Sequence, residues 1–165
     1  MPPLNNAPID DYEALIGVLH KHQVEFIIVG AYAVALYGYI RATEDIDILV
    51  SPNPGNAKRV SAALKEFNGV EINPAEIKEK TMIELGRRPN ALHIITTLTG
   101  VEWKKAWTSR VQGEFGEQPA AFLSKDCLIE NKRATGRDKD NLDLIGLGVE
   151  PAKPKVPKPI KKKSR

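Results

Sequence analysis

Two short apolar runs, "FIIVG" at 26–30 and "DIDILV" at 45–50, constrain this chain more than any other feature. The first is rich in β-branched residues and closes on Gly30, which suits a buried strand that ends in a tight turn. The second alternates. On a strand, residues two apart share a face, so Asp45, Asp47 and Leu49 share one and Ile46, Ile48 and Val50 share the other, free to pack into a core. The stretch between them, "AYAVALYG", reads as a short Ala-rich helix stopped by Gly38. The chain therefore starts as strand, glycine, helix and a second strand with two acids at its head.

Like charges two residues apart on one strand face have Cα atoms about 6.5–7 Å apart and repel each other. A proton, a basic neighbour or a divalent cation relieves that repulsion. Carboxylate oxygens suit Mg²⁺, which also recruits substrate phosphates as ligands. A pair of metals bridged by such acids stabilises both the attacking and the leaving oxygens of an in-line displacement. The bland alternative is a solvated strand edge. Its setting favours the former: Gly30, fifteen residues before Asp45, stands where a strand gives way to a helix. A glycine there admits a phosphate to the backbone, and free N–H groups favour an anion.

The remaining elements follow from periodicity and caps. "PIDDYEALIGVLHKHQV" reads as a first helix, with Pro8 and Asp10/Asp11 as its start and His20 and His22 near its end. "NAKRVSAALKEFNG" is an amphipathic helix stopped by Gly69. "TMIELG" and "ALHIITTLTG" are two strands around the turn "RRPN". "VEWKKAWTSR" is helical, with Trp103 and Trp107 on one face as packing anchors, and "PAAFLS" is a last short strand. "SKDCLIENKRATG" has Ser124 as N-cap and Gly136 as stop, and Cys127 on it reads as a buried small residue. "RDKDNLDLIGLG" makes the final helix. The expected order is α-β-α-β-α-β-β-α-β-α-α, an α/β (α+β) fold with a mixed sheet flanked by helices.

Composition bounds what such a fold can be. The 165 residues suit one domain, and 42% apolar with 27% charged is ordinary for a soluble globular protein. A single cysteine excludes an internal disulfide and a Cys-cluster zinc site. No apolar run approaches the ~18 residues of a membrane span, and the N-terminal stretch lacks signal-peptide features, so a cytoplasmic location without a membrane is expected. The net charge of +3 is unevenly spread. Residues 151–165 hold seven Lys/Arg, four prolines and no acid, leaving 17 basic and 21 acidic residues, net −4, in 1–150. The expected organisation is a domain at 1–150 and an extended, disordered Pro/Lys tail at 151–165.

With these elements in place, "FIIVGAYAVALYGYIRATEDIDILV" resembles the nucleotidyltransferase motif of the DNA polymerase β superfamily. It is most similar to small prokaryotic members, including the nucleotidyltransferase antitoxins of type IV toxin–antitoxin systems. Those share an R-x-T-x-D-[IV]-D string, present here as Arg41, Thr43, Asp45 and Asp47, and often a segment like "LIENKRATGRDKDNLDL". The resemblance covers roughly residues 12–147. It implies a nucleotidyltransferase fold, Asp45 and Asp47 as ligands of Mg²⁺ or Mn²⁺, and Gly30 with Ala31 at the phosphates of a nucleoside triphosphate. Arg41, Thr43 and Lys132 are implied as further contacts to triphosphate or substrate.

Two positions depart from the family pattern. Ala31 stands where Gly or Ser is usual, which removes a hydroxyl but keeps the backbone N–H. His93, in "ALHIITT", stands where a third carboxylate is expected. A neutral imidazole suits a general base but adds no negative charge for a second metal. Glu84 on the preceding strand is a candidate substitute. The activity implied is transfer of a nucleoside monophosphate from a triphosphate to a hydroxyl, on a protein side chain of a partner toxin or on an RNA end. The alternatives are a degenerate domain that binds nucleotide or a partner without transfer, and a nucleic-acid-binding module driven by the basic tail.

Overall fold

The protein is described here by a computed structural model over residues 11–153. The start signal at Pro8 and Asp10, and all of the basic tail after residue 153, lie outside the described residues.

Among those residues the chain forms six α-helices and one six-stranded mixed sheet. Helix α1 (Tyr12–Lys21) begins at Asp11, whose carboxylate accepts from the Ala14 amide at 2.8 Å. Strand β1 (Phe26–Val29) follows, then α2 (Gly30–Leu36) and β2 (Asp45–Val50). Helix α3 (Pro54–Asn68) leads through one 3₁₀ turn to the hairpin of β3 (Met82–Arg87) and β4 (Asn90–Ile95). Helix α4 (Trp103–Ser109) precedes a second hairpin, β5 (Val111–Phe115) and β6 (Gln118–Phe122). Helices α5 (Lys125–Thr135) and α6 (Asp138–Gly146) complete the order.

The sheet runs β3-β4-β2-β1-β6-β5. The central strand β1 lies antiparallel to β2 and parallel to β6, and β2 lies parallel to β4. That position explains the first apolar run. All four residues of β1 are buried, which a strand covered on both faces requires. Each such side chain contributes on the order of 1.5–3 kcal/mol through burial. On β2 the alternation holds at the head, where Asp45 and Asp47 are half-buried and Ile46 and Ile48 fully buried. Leu49, on the aspartate face, is also buried, so the carboxylates stand at the mouth of an otherwise covered face.

Local signals set the element ends. Ser124 caps α5 by accepting from the Cys127 amide at 3.3 Å, and Gly136 ends that helix in the left-handed region. Cys127 is a buried free thiol. Trp103 and Trp107 stack with ring centroids 5.2 Å apart and pack against the core.

One strand departs from the expected order. Strand β5 lies in a stretch read as neither helix nor strand. Its residues are exposed or half-buried throughout, so side-chain burial leaves no period in the sequence. Backbone pairing to β6 makes it a strand. No described helix is long and apolar enough to cross a membrane.

Candidate functional site

Sheet register builds the site. Parallel pairing of β2 with β4 sets Asp47 directly opposite His93, and antiparallel pairing of β4 with β3 sets Glu84 opposite His93 on its other side. Directly paired residues hold their side chains close on one sheet face. The result is a row across three strands. Asp47 Oδ1 lies 2.9 Å from His93 Nδ1, and Glu84 Oε2 lies 2.8 Å from His93 Nε2. Asp45 Oδ2 is 3.7 Å from the same Nδ1. One donor atom from each of Asp45, Asp47 and His93 falls within 4.8 Å of the others.

Each of these side chains is set by a neighbour. The Thr43 hydroxyl lies 3.4 Å from Asp45 Oδ1 and 3.1 Å from the Asp45 carbonyl, holding the strand head. Gly30, the first residue of α2, has φ +68, and a Cβ there would run into the Asp47 carboxylate. The glycine is thus required twice, by its backbone angle and by the close approach of Asp47. Glu84 fixes the imidazole.

Electrostatics at this row are unbalanced. Burial, with Asp45 beside it, pushes the Asp47 carboxyl above the ordinary carboxylate range, against the opposing effect of His93 and Lys139. Burial works against the charged form of His93. Hydrogen bonds to Asp47 and Glu84, with the charges of Asp47 and Asp45, outweigh it and raise the imidazole above its usual value. Three carboxylates surround one imidazole, so negative charge is in surplus.

The row lies in a cleft of about 840 Å³. Its wall includes five basic side chains, Arg41, Arg88, Lys132, Arg137 and Lys139, as well as Gly30, Ala31 and Thr43. The cleft thus brings together Gly30, Ala31, Arg41, Thr43, Asp45, Asp47, His93 and Lys132, while Glu84 stands outside its lining behind His93. Helix α2 has seven residues, and the positive charge on the cleft wall comes from these side chains.

Four of those cations are already engaged, Arg88 at the exposed rim with Glu44 Oε2 at 3.2 Å and the other three with buried acids. Arg41 forms a forked pair with Asp143, Nε to Oδ1 at 2.7 Å and Nη2 to Oδ2 at 3.0 Å. Lys132 is 4% exposed and lies 2.9 Å from Asp143 Oδ2 and 3.2 Å from Asp140 Oδ1. Asp140 also accepts from Thr135 at 2.7 Å and from Arg137 Nε at 2.8 Å. Burial alone would raise both aspartates. Arg137 and Thr135 with Lys132 hold Asp140, and Arg41 with Lys132 holds Asp143, below the ordinary range instead.

Sequence reasoning missed Asp140 and Asp143, both fully buried. A signal existed. With Leu144 and Leu147 they occupy positions i, i+3, i+4 and i+7, the inward stripe of a helix. An acid on such a stripe needs a buried partner. It also missed Lys139, in the first turn of α6, and Arg88, in the turn between β3 and β4, whose place on the wall depends on tertiary packing and left no mark in the residue pattern.

No protein-family model matches the chain, and no curated protein sequence matches it. The functional reading therefore stands on the geometry of this cleft.

Proposed function

We propose that the cleft binds a nucleoside triphosphate with a divalent cation and transfers its nucleoside monophosphate to a hydroxyl, on a nucleotidyltransferase fold. The observation that carries this reading is the joining of opposites. Donor atoms of Asp45, Asp47 and His93 converge within 4.8 Å on the wall of a cleft that five basic side chains also line. A polyphosphate with its cation is the ligand class whose charges complement both. The donor set fits a divalent cation, since carboxylate oxygens and an imidazole nitrogen are ordinary ligands of one.

In this reading Asp45 and Asp47 hold the cation, Lys139 draws the β- and γ-phosphates, and the exposed Arg88 and Arg137 add to it by exchanging contacts with Glu44 and Asp140. Arg41 and Lys132 line the wall beneath them. A bound cation would supply positive charge at the phosphate oxygens. The acceptor oxygen forms a bond to the α-phosphorus, and the bond from that phosphorus to the pyrophosphate oxygen breaks. The hydroxyl proton leaves to water. His93 has both ring nitrogens hydrogen-bonded to carboxylates, so we assign it to the cation site in preference to a free general base. Catalysis of this kind rests on positioning and charge stabilisation.

Incubation with labelled ATP, CTP, GTP or UTP, Mg²⁺ or Mn²⁺, and protein or RNA acceptors tests the reading. We expect label transfer that falls by at least about 10²-fold in Asp45→Ala/Asp47→Ala. Transfer that persists in the double variant overturns it.

A second reading has one specific observation in its favour. An imidazole replaces the carboxylate that would complete an all-oxygen set, which supports nucleotide or partner binding without transfer. Cation-dependent triphosphate binding with no label on any acceptor would select it.

A further inference from the structure

We propose that Asp45, Asp47 and His93 form a site for one divalent cation of the first transition row, in preference to Mg²⁺, with Glu84 as the residue that positions His93. The inference rests on the nucleotide-cleft reading above and deepens it.

The argument begins with the two ring nitrogens. Nδ1 faces the aspartates, 2.9 Å from Asp47 Oδ1 and 3.7 Å from Asp45 Oδ2. Nε2 faces away from them, 2.8 Å from Glu84 Oε2. A histidine that binds metal through one nitrogen nearly always gives the N–H of the other to a carboxylate or carbonyl. Glu84 is that carboxylate. With Nε2–H held by Glu84, a cation that displaces the Nδ1 proton from its hydrogen bond to Asp47 gains that nitrogen as a ligand on the side of the two aspartates.

All three donors are therefore held before any cation arrives. Thr43 holds Asp45, the bare Cα of Gly30 lets Asp47 sit against the turn, and Glu84 holds His93. Pre-set donors lower the ordering cost of binding. The donor set is mixed, with two oxygens and one nitrogen. Mg²⁺ takes oxygen ligands in near-octahedral geometry and keeps its waters. Imidazole favours transition ions, with affinity rising from Mn²⁺ through Co²⁺. Replacing a third carboxylate by an imidazole also removes one negative charge, so a second divalent cation is held poorly and the site is mononuclear.

Isothermal titration of the full chain with MgCl₂, MnCl₂, CoCl₂ and ZnCl₂, without nucleotide, tests this. The variants are His93→Asp, Glu84→Gln and Asp45→Ala/Asp47→Ala, with Co²⁺ visible absorption as a report of nitrogen ligation. We expect wild type to bind one equivalent, with Co²⁺ and Mn²⁺ at least about tenfold tighter than Mg²⁺. His93→Asp should narrow that gap and change the Co²⁺ spectrum. Glu84→Gln should weaken Co²⁺ and Mn²⁺ by about 10–100-fold with less effect on Mg²⁺.

Equal Mg²⁺ and Mn²⁺ affinity in wild type overturns the proposal without need of any variant. So does a Co²⁺-to-Mg²⁺ ratio unchanged by His93→Asp. Failure of the broader reading looks different: the Asp45→Ala/Asp47→Ala variant would then bind these ions as wild type does.

Discussion

The cleft joins two clusters of charge, each with buried or half-buried members, that solve the same problem in opposite ways. On the sheet side, Asp45, Asp47 and Glu84 surround His93, and acid is in excess. On the helix side, Arg41, Lys132 and Arg137 meet Asp140 and Asp143, and every buried carboxylate oxygen has a donor. The second cluster is complete within the chain. It ties α5, α6 and the loop before β2 into one frame. The first keeps a surplus of negative charge around its one imidazole. An ion cluster satisfied from inside stabilises a fold, and one left short of charge is equipped to bind.

The largest expected effect comes from breaking the complete cluster. Asp143→Ala strands Arg41 and leaves the buried Lys132 with Asp140 alone. Removing one partner of a buried pair costs about 3–5 kcal/mol, to be read from urea denaturation at pH 7. A loss under about 1 kcal/mol would erase the distinction between the two clusters.

Acid sharpens the same contrast. Asp140 and Asp143 have folded-state pKa values below their unfolded ones. Their contribution is therefore full above the ordinary carboxylate value near 4 and is lost as pH falls through the lower, folded values. Urea midpoints should fall steeply below about pH 4. In Asp143→Asn that acid limb should be shallower, and an unchanged limb would place the acid sensitivity elsewhere.

The smallest effect has the opposite sign. Asp45→Asn removes a like charge beside Asp47 and keeps an oxygen for Thr43. Without divalent cation it should raise the melting temperature slightly, by less than about 1 kcal/mol in stability. With cation present, wild type should regain the lead. A clear destabilisation of the cation-free variant would show that the acids are not in surplus.

The two clusters were also unequally legible. Alternation in "DIDILV" and the glycine at 30 disclosed the aspartates, because strand period and turn chemistry are local. Gly30 was read as a place for phosphate to approach, and the structure adds a nearer tenant in the Asp47 carboxylate. The partners of His93 could not be read, since they depend on the register of β2, β3 and β4. The resemblance marks Lys132 as a contact to triphosphate or substrate, and nothing local in its sequence shows that it is buried. Its burial follows from Asp140 and Asp143 on the next helix. Strand β5 escaped for a related reason. An edge strand with little to bury is specified by its hairpin partner.

The fork between Arg41 and Asp143 spans 102 positions of the chain. A ribosome delivers Asp45, Asp47 and His93 well before it delivers α6. A nascent chain halted after α4 thus carries every candidate cation donor, while Arg41 and the loop before β2 still lack their anchor. Closure of so distant a contact carries a large loop entropy. The loop before β2 thus gains its anchor only with the final helix, and shortened translation products should hold the acids without that frame.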